Sequence, residues 1–243
     1  LGTHIYLTIR LKIPQRKLFT AIKISLKKDK SAQGDVSQFA ALATSLAATI
    51  GTGNIIGVAT AIGLGGPGAV LWCWLTGIFG IATKYGEGLL AIKYRVKSED
   101  GRMLGGPMYA LEKGLGLKWL AILFCIFTAI ATFGIGNTVQ ANAISENLSL
   151  VCEDIISPER TKMIAGFTLA TIVGFAIIGG VKSIAKWCTA LVPLMALLYV
   201  LGCLYILCVN HEYLGRAISL IFNEAFSLKA VGGGTAGTVL MAA

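Results

Sequence analysis

Ala47-Ala48-Thr49-Ile50-Gly51-Thr52-Gly53-Asn54-Ile55-Ile56-Gly57 lies within a stretch that carries no charged residue between Asp35 and Lys84. A helix needs about 20 apolar residues to cross the hydrocarbon core of a bilayer, so this stretch is long enough for two crossings. Gly63-Leu64-Gly65-Gly66-Pro67-Gly68 is a turn signal and divides it into spans at 36–62 and 67–95. In the first span, glycines and an asparagine sit where a helix would be deepest in lipid, and both residue types are poor helix formers. A helix uncoiled there, over residues 51–54, leaves N–H and C=O groups unpaired, at several kcal/mol each. Such a break persists only where protein, water or a ligand supplies the missing partners, which makes it a candidate binding site of the kind found in secondary transporters. Gly53 and Gly57 also spell G-x-x-x-G, which by itself marks only close helix packing. A nucleotide-binding glycine loop is excluded, because it needs a preceding strand and a βαβ unit.

The rest of the chain supports a membrane setting. It is 55% hydrophobic and 14% charged, with 30 glycines among 243 residues. Soluble domains carry about 25% charged residues and about 7% glycine. Low charge with abundant small residues is the composition of packed transmembrane helices. Further spans are expected at 118–146, 161–181 and 184–209, with an amphipathic interfacial helix over 211–226. Leu1–Ile9 reads as the tail of an earlier span, and the basic stretch Arg10–Lys30 as a segment at the membrane surface.

The formal charge of +9 is concentrated in loops. The segment before the first complete span and the loop after the second (Lys93, Arg95, Lys97, Arg102, Lys113, Lys118) are basic. The loop after the third carries Glu146, Glu153, Asp154 and Glu159 against Arg160, and the turn after the fourth is assigned Lys182 and Lys186. This alternation follows the positive-inside rule and excludes nucleic acid as the partner of the basic residues, since no soluble basic face with interleaved aromatics is present. The lipid bilayer is the partner that the charge pattern indicates. The six cysteines show no metal-binding spacing and read as small apolar residues.

Two more polar interruptions accompany the first. Phe133-Gly134-Ile135-Gly136-Asn137-Thr138-Val139-Gln140 places Asn137 and Gln140 on one helix face. Gly232-Gly233-Gly234-Thr235-Ala236-Gly237 opens another apolar segment, one that begins after five complete spans. Interrupted helices at corresponding positions of two repeats point to a transporter site. Lys84 and Glu87 are three apart near the cytoplasmic end of the second span and read as a snorkelling ion pair. Asn147-Leu148-Ser149 matches a glycosylation acceptor in an outer loop. His4 and His211 are isolated and carry no assignment. No H-E-x-x-H, carboxylate pair or nucleophile–base arrangement lies in the spans, which argues against an enzyme and against a catalytic site.

The run from Thr49 to Arg95, then Gly105-Gly106-Pro107-Met108-Tyr109-Ala110-Leu111-Glu112-Lys113-Gly114-Leu115-Gly116, then Phe133 to Asn142, resembles the alanine or glycine:cation symporter family. The resemblance covers nearly the whole chain and about the N-terminal half of a typical member. It implies an all-α, multi-pass leucine-transporter-like fold of two inverted five-helix repeats. On that expectation residues 1–35 are the end of a preceding helix plus a basic cytoplasmic segment, 36–209 the first repeat, and 210–243 an interfacial helix and the start of the second repeat's broken helix.

The resemblance further implies that the backbone around Thr49, Gly51, Thr52 and Gly53 holds the substrate's carboxylate and amine. Gly136, Asn137 and Gln140 line the pocket, with Gly233 and Gly234 from the second break. Carbonyls near Ala47 and Ile50 coordinate sodium, and Asn54 is a further ligand or brace. The implied activity is sodium-coupled symport of small neutral amino acids (alanine, glycine or serine) across a bacterial inner membrane, with Na+ as coupling ion and no organic cofactor. A passive channel and a non-functional transporter fragment are the alternative readings.

Overall fold

The computed structural model describes residues 1–27 and 35–233. In chain order the helices are α1 (Gly2–Arg10), α2 (Leu18–Ser25), α3 (Gln38–Thr49), α4 (Val58–Gly65), α5 (Ala69–Lys93), α6 (Pro107–Tyr109), α7 (Lys118–Ala131), α8 (Thr138–Val151), α9 (Pro158–Ile178), α10 (Gly180–Val209) and α11 (His211–Glu224). A two-residue antiparallel ladder between β1 (Val96–Lys97) and β2 (Met103–Leu104) closes the loop after α5. Three wider, π-helical turns interrupt the helices, at Gly53–Gly57, Ala110–Gly114 and Thr132–Gly136.

Among the described residues, Lys118–Val151, Pro158–Ile178 and Gly180–Val209 are long and apolar enough to cross a membrane. The pair Gln38–Thr49 and Gly53–Gly65 makes a fourth crossing if its two halves, bent by 48°, count as one span. At 25 residues α5 has the length for the expected second span, but its polar last turns, with Lys84 and Glu87, leave it short of the apolarity of the others. Those two side chains form the expected ion pair at 3.0 Å.

The packing is that of a membrane protein. Among the described residues, the buried apolar positions are ten alanines and Val192, and no large side chain is fully buried. Small residues let the helix backbones approach each other, while Leu, Ile, Phe and Val point outward. The accessible surface is 17404 Å², against about 10,000 Å² for a soluble globule of this mass. Many of the exposed side chains are large and apolar, which suits hydrocarbon more than water.

The connections follow from local chemistry. Ser37 caps α3 by accepting the Ala40 N–H at 3.2 Å. Gly66, at φ +73°, turns the chain out of α4, and Gly68 lies so close to α11 that an added Cβ would stand 2.4 Å from the Glu224 carbonyl carbon. Gly180, at φ +66°, reverses the chain between α9 and α10 without further residues. Lys182 and Lys186 therefore lie in the first turns of α10, and not in a connecting turn as expected, because the turn is only the Gly179–Gly180 pair. The glycosylation reading is corrected too: Asn147 and Ser149 lie inside α8, where Ser149 is buried, and no outer loop carries them. α1 packs on α5, with His4 Nδ1 2.5 Å from Thr83 Oγ1. α3 packs along α10, and α8 along α9.

Candidate functional site

The break after α3 is narrower than its sequence suggests. Ile50 is extended (φ −86°, ψ 100°), Gly51 is non-helical, and Thr52 already has helical angles. The expected uncoiled stretch at 51–54 therefore shrinks to Ile50–Gly51. Asn54 explains the difference. Its side-chain amide donates to the Thr49 carbonyl at 2.6 Å, and its backbone N–H donates to the Gly51 carbonyl at 3.1 Å. The chain rejoins a helix by way of the wide turn Gly53–Gly57.

The main-chain groups at this point divide by sign. Among the described residues, no hydrogen bond reaches the carbonyls of Ala47, Ala48 or Ile50, and the N–H groups of Gly51 and Gly53 find no acceptor. The last carbonyls of α3 and the first N–H groups of the second half-helix are the orphan groups that every helix end leaves. Here they meet in the middle of one span. Each half-helix end carries roughly half an elementary charge, negative at the carbonyl end and positive at the N–H end. A dipolar ligand can match both, and a hard cation can match the carbonyls.

The Thr52 N–H is the exception, since it donates to Gln140 Oε1 on α8 at 3.3 Å. Gln140 Nε2 stands 3.2 Å from where a Cβ on residue 51 would lie. A side chain at 51 would therefore press on this amide, through which the third complete span lies against the break. Thr49, Gly51, Thr52, Gly53, Asn54 and Gln140 are brought together, and so are Ala47 and Ile50.

Gly136 ends the wide turn between α7 and α8 and Asn137 follows it, exposed and with its side chain making no hydrogen bond among the described residues. Thr138 Oγ1 donates to the Phe133 carbonyl at 3.0 Å and stabilises that turn. Gly233 is placed elsewhere. It packs on α4, where a Cβ on it would stand 2.2 Å from Gly65 Cα and 2.8 Å from the Ala61 carbonyl oxygen. At 1.5 Å per residue Gly65 lies roughly 18 Å beyond Gly53, so the structure does not bring Gly233 to the break. Gly234 lies outside the described residues.

A cleft of about 380 Å³ continues from the break between α8 and the start of the second half-helix, lined by Thr52, Ile55, Ile56, Ala143, Ile144, Asn147, Leu148 and Val151. Asn147, marked in the sequence only by its glycosylation pattern, is part of this wall. The spacing Gln140, Ala143, Ile144, Asn147, Val151 is one helix face, and that pattern could have revealed it. Among the described residues no cluster of His, Cys, Asp and Glu could hold a metal ion, so main-chain and amide oxygens are the cation ligands this region offers.

A polar break in one span with a second span's amide against it is the kind of arrangement expected of a membrane-transporter site. The sodium:alanine symporter family model matches residues 1–243, and the chain belongs to that family, whose members are symporters and not enzymes. It is 49% identical over 244 residues to an uncharacterized transporter of Haemophilus influenzae, covering 100% of this chain and 52% of the relative. It is 48% identical over 248 residues to the sodium/alanine symporter AgcS of Methanococcus maripaludis, covering 99% and 53%. A probable sodium/glutamine symporter, GlnT of Bacillus subtilis, is 36% identical over 243 residues, covering 99% and 49%. The chain spans about half the length of the curated relatives it matches.

Proposed function

We propose that this chain supplies one half of the binding core of a sodium-coupled symporter for small neutral amino acids, working by alternating access in a bacterial inner membrane. The observation that carries the reading is the meeting of unpaired carbonyls (Ala47, Ala48, Ile50) and unpaired N–H groups (Gly51, Gly53) within one span. In lipid, groups of this kind cost several kcal/mol each unless a ligand completes them. A zwitterionic amino acid offers a carboxylate to the N–H groups and an ammonium to the carbonyls, and sodium is a hard cation suited to the remaining carbonyl oxygens. The arrangement needs no arginine or acidic residue, in keeping with the uncharged span.

Gln140 sets the floor of the pocket by its approach to Gly51, and this closeness favours alanine, glycine or serine over larger substrates. The name of one relative mentions alanine and that of another glutamine, so the length of the adjoining cleft decides how far a side chain can extend. Sodium and substrate share one short piece of backbone, so each raises the affinity for the other. The leucine-transporter-like arrangement of two inverted five-helix repeats fits a first repeat over 36–209 that begins with a bent, broken span.

The test is uptake of labelled amino acids into proteoliposomes containing the complete protein, with and without an inward sodium gradient. Sodium-driven accumulation of alanine that is lost in Asn54→Ala and Gly53→Leu is expected. Downhill flux indifferent to sodium would instead identify a passive channel, and full activity of both variants would remove the break from the site.

A further inference from the structure

A second cavity, of about 680 Å³, lies away from the break, between the last turns of α5, the turn that follows α6, and α7. Leu90, Ala91, Tyr94, Pro107, Leu111 and Phe124 are among its walls. Its one charged lining residue, Glu87, is already neutralised by Lys84 at 3.0 Å. A zwitterionic amino acid gains nothing from such walls. The cavity is nevertheless built to a fixed shape: a Cβ on residue 105 would stand 2.9 Å from the Ala91 carbonyl oxygen, and one on residue 114 would stand 2.9 Å from the Tyr94 ring. Glycines at both positions let the loop close down on α5.

The rim has the opposite character. Between residues 93 and 118 the chain carries Lys93, Arg95, Lys97, Arg102, Lys113 and Lys118 against Glu99, Asp100 and Glu112, and Asp100 is itself bound by Arg102 at 3.2 Å. Lys93 Nζ lies 5.4 Å from the centre of the Tyr94 ring, a lining residue, and Lys113 sits in the turn that forms the opposite wall. Trp119, exposed at the start of α7, marks the level of the membrane–water interface, where tryptophan concentrates. An apolar groove thus lies beside a loop that carries an excess of positive charge, with Lys93 next to one of its lining residues. Basic pockets between membrane helices on the cytoplasmic side bind anionic headgroups.

We propose that this groove is a binding site for one anionic phospholipid of the surrounding bilayer. An acyl chain lies against Leu90, Ala91, Leu111 and Phe124, and the phosphate lies by Lys93 and Lys113. The groove shares no lining residue with the cleft at the break, so its assignment does not depend on which amino acid is carried.

The test uses the protein purified in mild detergent and titrated with phosphatidylglycerol or with phosphatidylcholine of the same acyl chains, with retained lipid counted by native mass spectrometry. One phosphatidylglycerol is expected to be retained about five-fold or more in preference to phosphatidylcholine, the factor that a single basic residue supplies at an anionic surface. Lys93→Gln combined with Lys113→Gln is expected to remove that preference while weak retention of both lipids continues. Leu111→Trp fills the groove and is expected to abolish retention; Ala91→Leu, a smaller filling on the facing wall, serves if the tryptophan variant does not fold. Equal retention of the two lipids, a preference that survives the double lysine substitution, or undiminished retention by a folded filled-groove variant overturns the assignment. So does the absence of retained lipid, the outcome expected if protein covers the groove.

Discussion

Replacing Gly51 by alanine, alone and together with Gln140→Ala, tests the contact on which the candidate site depends. The backbone at Gly51 is not left-handed, so the substitution brings no dihedral strain and space alone decides its effect. The new methyl group would stand 3.2 Å from Gln140 Nε2, 3.6 Å from Oε1 and 3.7 Å from Cδ. To relieve the shortest of these, the amide must retreat by a few tenths of an ångström. Its bond to the Thr52 N–H is already long, at 3.3 Å, and a further shift removes it.

The loss is that of one intramolecular hydrogen bond, about 0.5–1.5 kcal/mol, rising to about 1–3 kcal/mol if the N–H is left buried without a partner. In substrate affinity this is roughly a 2-fold to 150-fold weakening. Gln140→Ala alone removes the same acceptor and is expected to cost a similar amount. The double variant has no amide left to displace, so its loss should match that of either single variant and not their sum. The measurements are sodium-driven alanine uptake and substrate-dependent thermal stabilisation of the complete protein. Independent sites add to within about 0.3–0.5 kcal/mol. Additive losses in the double variant would falsify the contact, and with it the inference that a side chain at 51 displaces the Gln140 amide.

Asn54→Ala removes the tie to the Thr49 carbonyl at 2.6 Å; hydrogen bonds between membrane helices average about 0.6 kcal/mol. The variant is expected to fold with a small fall in melting temperature and a disproportionate loss of sodium-dependent uptake. Gly68→Ala places a methyl 2.4 Å from the Glu224 carbonyl; backbone must shift there, and a loss on the order of 1–3 kcal/mol is expected in thermal unfolding, with α11 the first element to become accessible to protease. Trp72→Phe deletes the donor to the Ala225 carbonyl at 2.6 Å and disturbs the edge-on contact with Phe226 at 6.1 Å; about 1 kcal/mol of stability is expected to go, with transport unchanged. In each case an unaltered readout contradicts the contact described.

Charge spacing and apolar length made the helices legible, since both follow directly from the energetics of hydrocarbon. The uncharged run from Asp35 to Lys84 became a broken helix pair and α5 with a glycine turn between them, and the outer boundaries moved by only a few residues. The break was legible at Gly51 because glycine lowers helix propensity wherever it stands. Its width was not, because the Asn54 side chain stands in for the missing backbone donor, a tertiary detail that no propensity encodes. Gln140 was readable as a buried amide on one face with Asn137, yet only the crossing of α8 over the break selects Gln140 and leaves Asn137 exposed. Gly233 illustrates the limit of composition. A run of glycines signals close approach, but whether backbone or ligand does the approaching depends on which helix lies opposite, here α4 at Gly65.

Because the described interior is filled by alanines while the bulky residues look outward, the usual mutational survey would give little information on this protein. Trimming to alanine finds almost no volume inside to remove. The revealing experiment runs the other way, enlarging Ala43, Ala61, Ala82 or Ala185 one methylene at a time, since helices in such close contact have nowhere to put an added atom. Tolerance to growth, position by position, would map which seams between helices are fixed and which have to slide.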